Sequence, residues 1–373
     1  MRAVLIAILV CVAGCSSRGG SAADDGARPM AAASIAPHLR LQDHQGAVDS
    51  LAFTPDGKYL VSASNGDFTV RVWDLKDGRE SAQVKLDNRP SSIVMARDGG
   101  SILVADAYRE VRRLVLSGGQ LAGEEVVLKE AGTDLTASPG GRLLAVTGHQ
   151  NPIRIYGLPV LKLQQTLPSS ETQRVVAFSP SGEVLASAGN GPEITLWNTA
   201  TWKSEKFPIE KVGKDSVATG LSFSRHAKYL AVGFNDSSIV VFDTETRKEV
   251  QNFYVRDAST MAVAFGFDNS LLATANSDGA VYLWEAATAK RVKALKEHRE
   301  GAATIRFAPD GAALATGGKD RAIIVWRAGA PAVAVTAETP AASPGPARHY
   351  RVHPQFAAQS GGQRRTLALE GER

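Results

Sequence analysis

His298 to Trp326 reads HREGAATIRFAPDGAALATGGKDRAIIVW. Ala303 to Phe307 has strand composition, Pro309-Asp310-Gly311 supplies the residues that tight turns favour, and Ala312 to Thr316 returns as a second strand. A third strand, Ala322 to Trp326, follows a turn that carries Asp320. Such a three-strand unit has one apolar pattern and several edges, so it needs neighbours of its own kind.

Those neighbours are present along the chain. The residues that end the third strand align as Trp73, Leu114, Tyr156, Trp197, Phe242, Trp284 and Trp326, spaced 41 to 45 residues apart. Seven units fill the stretch from Pro37 to Arg327. His298, Thr316, Asp320 and Trp326 reproduce the pattern of His, Ser/Thr, Asp and Trp that marks WD40 repeats, and the chain resembles that family. The resemblance implies an all-β fold, a seven-bladed WD40 β-propeller with four strands in each blade. It also implies one hydrogen-bonded chain per complete blade: Trp326 indole to Thr316 hydroxyl, to His298, to Asp320. His44, Ser62, Asp67 and Trp73 repeat this set in the first unit. Partial sets stand at Ser187 and Trp197, at Asp236, and at Thr274, Asp278 and Trp284. In the fourth unit Gly191 replaces the Asp and Ser169 the His; in the sixth, Arg256 replaces the His. The second and third units are expected to keep only apolar pattern. A Ser/Thr, His and Asp set invites a hydrolase reading, but no nucleophile elbow is present and the spacing is that of the repeat, so no catalytic residue is assigned.

Closure of the ring follows from the same alignment. His38 to Gln42 before His44 resembles Val292 to Lys296 before His298, so the N-terminal copy is expected to supply the outer strand of the last blade. Ala332 to Val335 is a second candidate for that place.

The termini read differently. Arg2 precedes ten apolar residues, Ala3 to Val12, too few to span a bilayer as a helix. The run ends in Val12-Ala13-Gly14-Cys15, which resembles a bacterial lipobox and implies a signal peptide over 1–14 with lipid on Cys15. Cys11 is the only other cysteine, so no disulfide is expected. Ser16 after the modified cysteine resembles the sorting rule for the outer membrane in Gram-negative bacteria, with the domain facing the periplasm. Residues 15–36 are expected to form a flexible, disordered tether, 37–327 the propeller, and 328–373 an Ala/Pro-rich disordered tail. His349 and His353 have the spacing of a helical metal pair, but Pro354 opposes that helix, so no metal is assigned.

Charge excludes one class of partner. With 42 Lys and Arg against 38 Asp and Glu, the net charge of +4 is too small and scattered for a nucleic-acid footprint. The innermost strands that the pattern places offer only Asp49 and Arg306 as ionisable groups, and no phosphate loop is present, so no cofactor is expected. The resemblance implies a monomeric propeller that binds a protein or peptide partner. Gln45, Gly66, Asn235, Ser277, Arg299 and Lys319 adjoin the motif positions and form the candidate interaction face. A small-ligand binder or enzyme using the central channel is the alternative.

Overall fold

A computed structural model describes residues 32–129, 132, 134–148, 151–168 and 172–329 of the 373. The tail from 330, the lipobox with Cys15 and the His349/His353 pair lie outside the described residues, as does Ser169.

Seven four-stranded antiparallel sheets make up the described residues, each running from an innermost strand a outward to a strand d. In blade 1 these are Val48–Phe53, Tyr59–Ser64, Thr69–Asp74 and Glu80–Lys85. The side chains of a strand alternate between its two faces, so each sheet can pack on two neighbours at once. Strand b of blade 1 shows this: Leu60 joins the cluster shared with blade 7, and the adjacent Val61 joins the cluster shared with blade 2. The core is therefore a set of sheet-to-sheet interfaces arranged in a ring. Each fully buried Leu or Ile in it contributes about 1.5–3 kcal/mol.

The turn between strands a and b sets the register of every blade. Its second half needs a left-handed residue, and Gly57, Gly99, Gly141, Gly182 and Gly311 supply one, each with φ between 66° and 76°. Ala227 and Asn269 hold the same place in blades 5 and 6 at φ 56° and 62°. In blade 1, Thr54 Oγ1 and Lys58 N also donate to Asp56 Oδ1, which fixes the turn from within.

Blade 7 is completed by the chain's own beginning. Its sheet runs Ala302–Phe307, Ala313–Gly318, Ile323–Ala328 and then Ile35–Leu41. Leu39 pairs with Val325 and Leu41 with Ile323, with an irregularity between Pro37 and Leu39. Pro37 has no N–H to give, and an outermost strand is where that can be tolerated. The closing strand begins earlier than His38, because Ile35 is 1% exposed and packs in the cluster that contains Trp326 and Leu314. Residues 32–36, expected in the tether, are thus a short 3-10 turn, Ala32–Ser34, and the first residues of a strand. The side chain of Lys293 in strand d of blade 6 donates to the Ile35 carbonyl at 2.6 Å.

Candidate functional site

The complete motif sets lie in blades 1 and 7, on either side of the seam. Trp326 Nε1 donates to Thr316 Oγ1 at 3.0 Å, and that hydroxyl lies 2.8 Å from His298 Nε2. His298 Nδ1 lies 2.9 Å from Asp320 Oδ1. Asp320 also accepts the N–H groups of Arg299 and Ala322, and Arg40 on the closing strand reaches its Oδ2 at 3.3 Å. Blade 1 repeats the chain: Trp73 Nε1 to Ser62 Oγ at 2.8 Å, Ser62 to His44 Nε2 at 2.7 Å, and His44 Nδ1 to Asp67 Oδ2 at 2.9 Å. Asp67 accepts from Gln45 N and, through Oδ1, from the Thr69 hydroxyl.

These contacts fix what the motif can do. Burial alone raises an aspartate, but the bonds from His298 and Arg299 N outweigh it and hold Asp320 below its ordinary value of 3.8. Asp67 is likewise held down, by His44, Thr69 and Gln45 N against burial. Ser62 and Thr316 are fully buried and already engaged by a tryptophan N–H. A hydroxyl so placed cannot meet a substrate.

In blades 5 and 6 the partial sets are supplemented by residues that the repeat pattern does not specify, whereas blade 4 keeps only its tryptophan–serine bond. In blade 6, Trp284 Nε1 donates to Thr274 Oγ1 at 3.1 Å, and Asn276 Nδ2 donates to the same oxygen at 3.1 Å. Tyr282 OH donates to Asp278 at 2.7 Å, while Arg256 is exposed. In blade 4, Trp197 Nε1 reaches Ser187 Oγ at 3.0 Å, and Gly191 sits at φ 86° with its N–H on the Ser216 carbonyl. In blade 5, the Ser216 hydroxyl donates to Asp236.

Blade 2 corrects the expectation that its polar network is gone. Asp106 is fully buried and accepts from Asn88 Nδ2 at 3.0 Å and from the N–H groups of Tyr108 and Glu110. Arg112 pairs with Glu124 at 2.6 Å and Glu110 at 3.1 Å, and stands 3.6 Å from Asp106. Asp106 occupies the end of strand b, where blade 1 has Ser64, so an alignment on the turn aspartate passes over it. Blade 3 keeps Thr147, fully buried, whose hydroxyl donates to the Gln173 carbonyl of blade 4 at 2.7 Å.

All six residues of the candidate face are exposed, on the side that carries the b–c turns and d–a loops. The structure divides them. Asn235 Oδ1 accepts Val217 N at 2.8 Å and Ser277 Oγ accepts Ser259 N at 2.9 Å, so both clamp a turn to the loop beside it. Gly66 serves the same clamp by packing: a Cβ on Gly46 would fall 2.5 Å from Gly66 Cα. Arg299 and Lys319 use their backbone N–H groups for this purpose, toward Asp320 and the Gly301 carbonyl. Their charged side chains, with the Gln45 side chain, are what the face presents outward.

The channel through the ring corrects a second expectation. Its lining includes Asp134 as well as Asp49 and Arg306. Asp134 belongs to strand a of blade 3, Asp134–Ala137, a strand the sequence pattern does not place.

Comparison with known proteins agrees with this architecture. The family model described as WD domain, G-beta repeat matches residues 36–74, 248–285 and 289–327. Each matched segment begins on the outer strand of one blade and ends on strand c of the next, so the sequence repeat is offset from the blade by one strand. The fold is a seven-bladed β-propeller, and the segments that match the WD-domain model are those that contribute to blades 1, 6 and 7. Among curated relatives, THO complex subunit 3 of Arabidopsis thaliana is 24% identical over 60% of this chain and 70% of its own length. The 66 kDa stress protein of Physarum polycephalum is 31% identical over 50% of this chain and 30% of that protein. Pre-mRNA-processing factor 19 homolog 2 of Arabidopsis thaliana is 30% identical over 54% of this chain and 39% of that protein. The match spans less than half of the last two relatives.

Proposed function

We propose that this protein is a membrane-anchored WD40 propeller that works as a protein-binding platform or scaffold in the bacterial cell envelope, with no catalytic role. One observation carries the binding half of this reading. The polar motif residues are consumed in bonds inside the blades, while Gln45, Arg299 and Lys319 stand exposed directly above them. A ring built in this way gives rigid support to a face of loops, which suits recognition of another protein or a peptide. The name of THO complex subunit 3 describes a component of an assembly, in keeping with a scaffold role.

Anchoring rests on the leader. Met1 to Cys15 has a basic start, a short apolar run and a lipobox-like end, so Cys15 carries the lipid and residues after it tether the ring to the outer membrane, facing the periplasm. The ring itself acts as a monomer. Replacing Cys15 with Ala is expected to release the protein from the membrane fraction and to abolish an acyl mass on the N-terminal peptide. Unchanged partitioning, together with a wild-type N-terminal peptide free of acyl mass, would refute the anchor.

A second reading, ligand binding in the central channel, draws on the charges found there.

A further inference from the structure

The seven innermost strands enclose a channel with a volume of about 550 Å³. That lies within the range of about 300–1,000 Å³ typical of small-molecule sites. Among the described lining residues three are charged: Asp49, Asp134 and Arg306. The two carboxylates have structural bonds. Asp49 Oδ2 accepts Asn65 N at 3.0 Å, and Asp134 Oδ1 accepts the Ser92 hydroxyl at 2.9 Å.

Arg306 is differently placed. Its Nη1 donates to the carbonyl of its own neighbour, Ile305, at 2.9 Å, and no carboxylate of the described chain comes within 4.0 Å of its guanidinium. A guanidinium carries five N–H donors in a planar fork and stays charged, so its remaining donors call for an anion or water. Arg306 belongs to blade 7 and Asp134 to blade 3, three blades away in a ring of seven, which puts them on opposite walls. Each charge is felt by the other, yet they form no ion pair. Opposite charges held apart across a water-accessible space favour a ligand that brings the complementary charge to each wall. Two carboxylates in the same lining disfavour a polyanion. Between the charged walls lie apolar side chains, Val175, Leu221 and Met261, which suit a partly apolar body.

We propose that the channel is a binding site for a small zwitterion of the amino-acid or short-peptide class, its carboxylate held by the Arg306 fork and its ammonium held by Asp134. Carboxylate and guanidinium match in a bidentate pair, which lends direction as well as affinity. Asp49, on strand a of blade 1, adds a second negative charge to the lining, which favours a ligand that also carries a cation over a simple anion.

Trialanine titrated calorimetrically into the full-length protein tests this directly, with three control probes: its C-terminal amide, its N-acetyl form and inorganic phosphate. The site predicts saturable binding of trialanine and at least a tenfold weaker affinity for each control. Arg306→Leu and Arg306→Gln should each weaken trialanine at least tenfold while the thermal midpoint shows that the ring still folds, and Asp134→Asn should remove the preference for trialanine over the N-acetyl form. No binding of trialanine, equal binding by the Arg306 variants, or phosphate binding as tight as trialanine would overturn the proposal.

Discussion

Asp320 has three kinds of partner in the folded chain: the His298 ring, the N–H groups of Arg299 and Ala322, and the Arg40 guanidinium of the closing strand. Asp320→Ala removes the acceptor for all of them at once. A buried polar group left without its partner costs about 1–3 kcal/mol, and urea denaturation is expected to show a loss of that size. The same contacts predict a pH dependence with a definite sign. Asp320 and Asp67 are held below their ordinary 3.8, so the unfolded chain takes up protons first as pH falls. Their stabilisation is complete above about pH 4 and is lost as the pH drops further. Burial raises Asp134 and Asp49, which act in the opposite sense: their contribution is favourable in acid and is lost as pH rises through their folded values. Comparing unfolding midpoints between acid and neutral pH for the wild type and for Asp67→Asn plus Asp320→Asn separates the two. The variant should have the flatter acid limb; an unchanged slope would show that these carboxylates are not held down in the folded state.

A single turn residue in blade 5 departs from its sisters. Ala227 takes φ 56° where five other blades have glycine, and a Cβ in that conformation costs about 1–2 kcal/mol. Glycine there also has more freedom to lose on folding, about 0.5–1 kcal/mol, so Ala227→Gly is expected to stabilise by up to about 1 kcal/mol. Calorimetric melting reads this as a higher midpoint. The closing strand carries much more. Leu39 and Leu41 pack with Leu51, Trp73 and Ile323 at the seam between blades 7 and 1, and Ile35 fills the other side of blade 7. Deleting residues 35–41 is expected to unpair Ile323–Ala328 and lower the midpoint of the whole ring, whereas deleting residues 331–373 should leave it nearly unchanged. The opposite pattern would mean that Ala332 to Val335 closes the ring. Sequence alone identified the N-terminal strand from a second copy of one pattern, His38 to Gln42. It missed Ile35, because one apolar residue between Ser34 and Ala36 has no periodicity of its own to reveal it.

Across the whole molecule, seven blades were legible because a period of 41 to 45 residues puts a large apolar side chain, aromatic in every blade but the second, at the same register of each strand c, from Trp73 to Trp326. The tetrads were legible for the same reason. Asp106 and Arg112 were not, since a network moved to the end of strand b breaks the spacing while keeping the fold. Asp134 escaped notice because its strand is only four residues long and follows a d–a loop without the motif histidine. The exposed face could be located from the motif, but only the structure separates Asn235 and Ser277, which bind neighbouring backbone, from Arg299 and Lys319, whose charges point outward. The test of the scaffold reading follows from that division. Wild-type protein and an Arg299→Glu, Lys319→Glu variant are used to capture partners from detergent-solubilised membranes of the source cells, alongside thermal melts of both. The account predicts a protein partner retained by the wild type, lost by the variant, and unfolding midpoints that agree within error; a wild type that retains nothing the variant does not would contradict it.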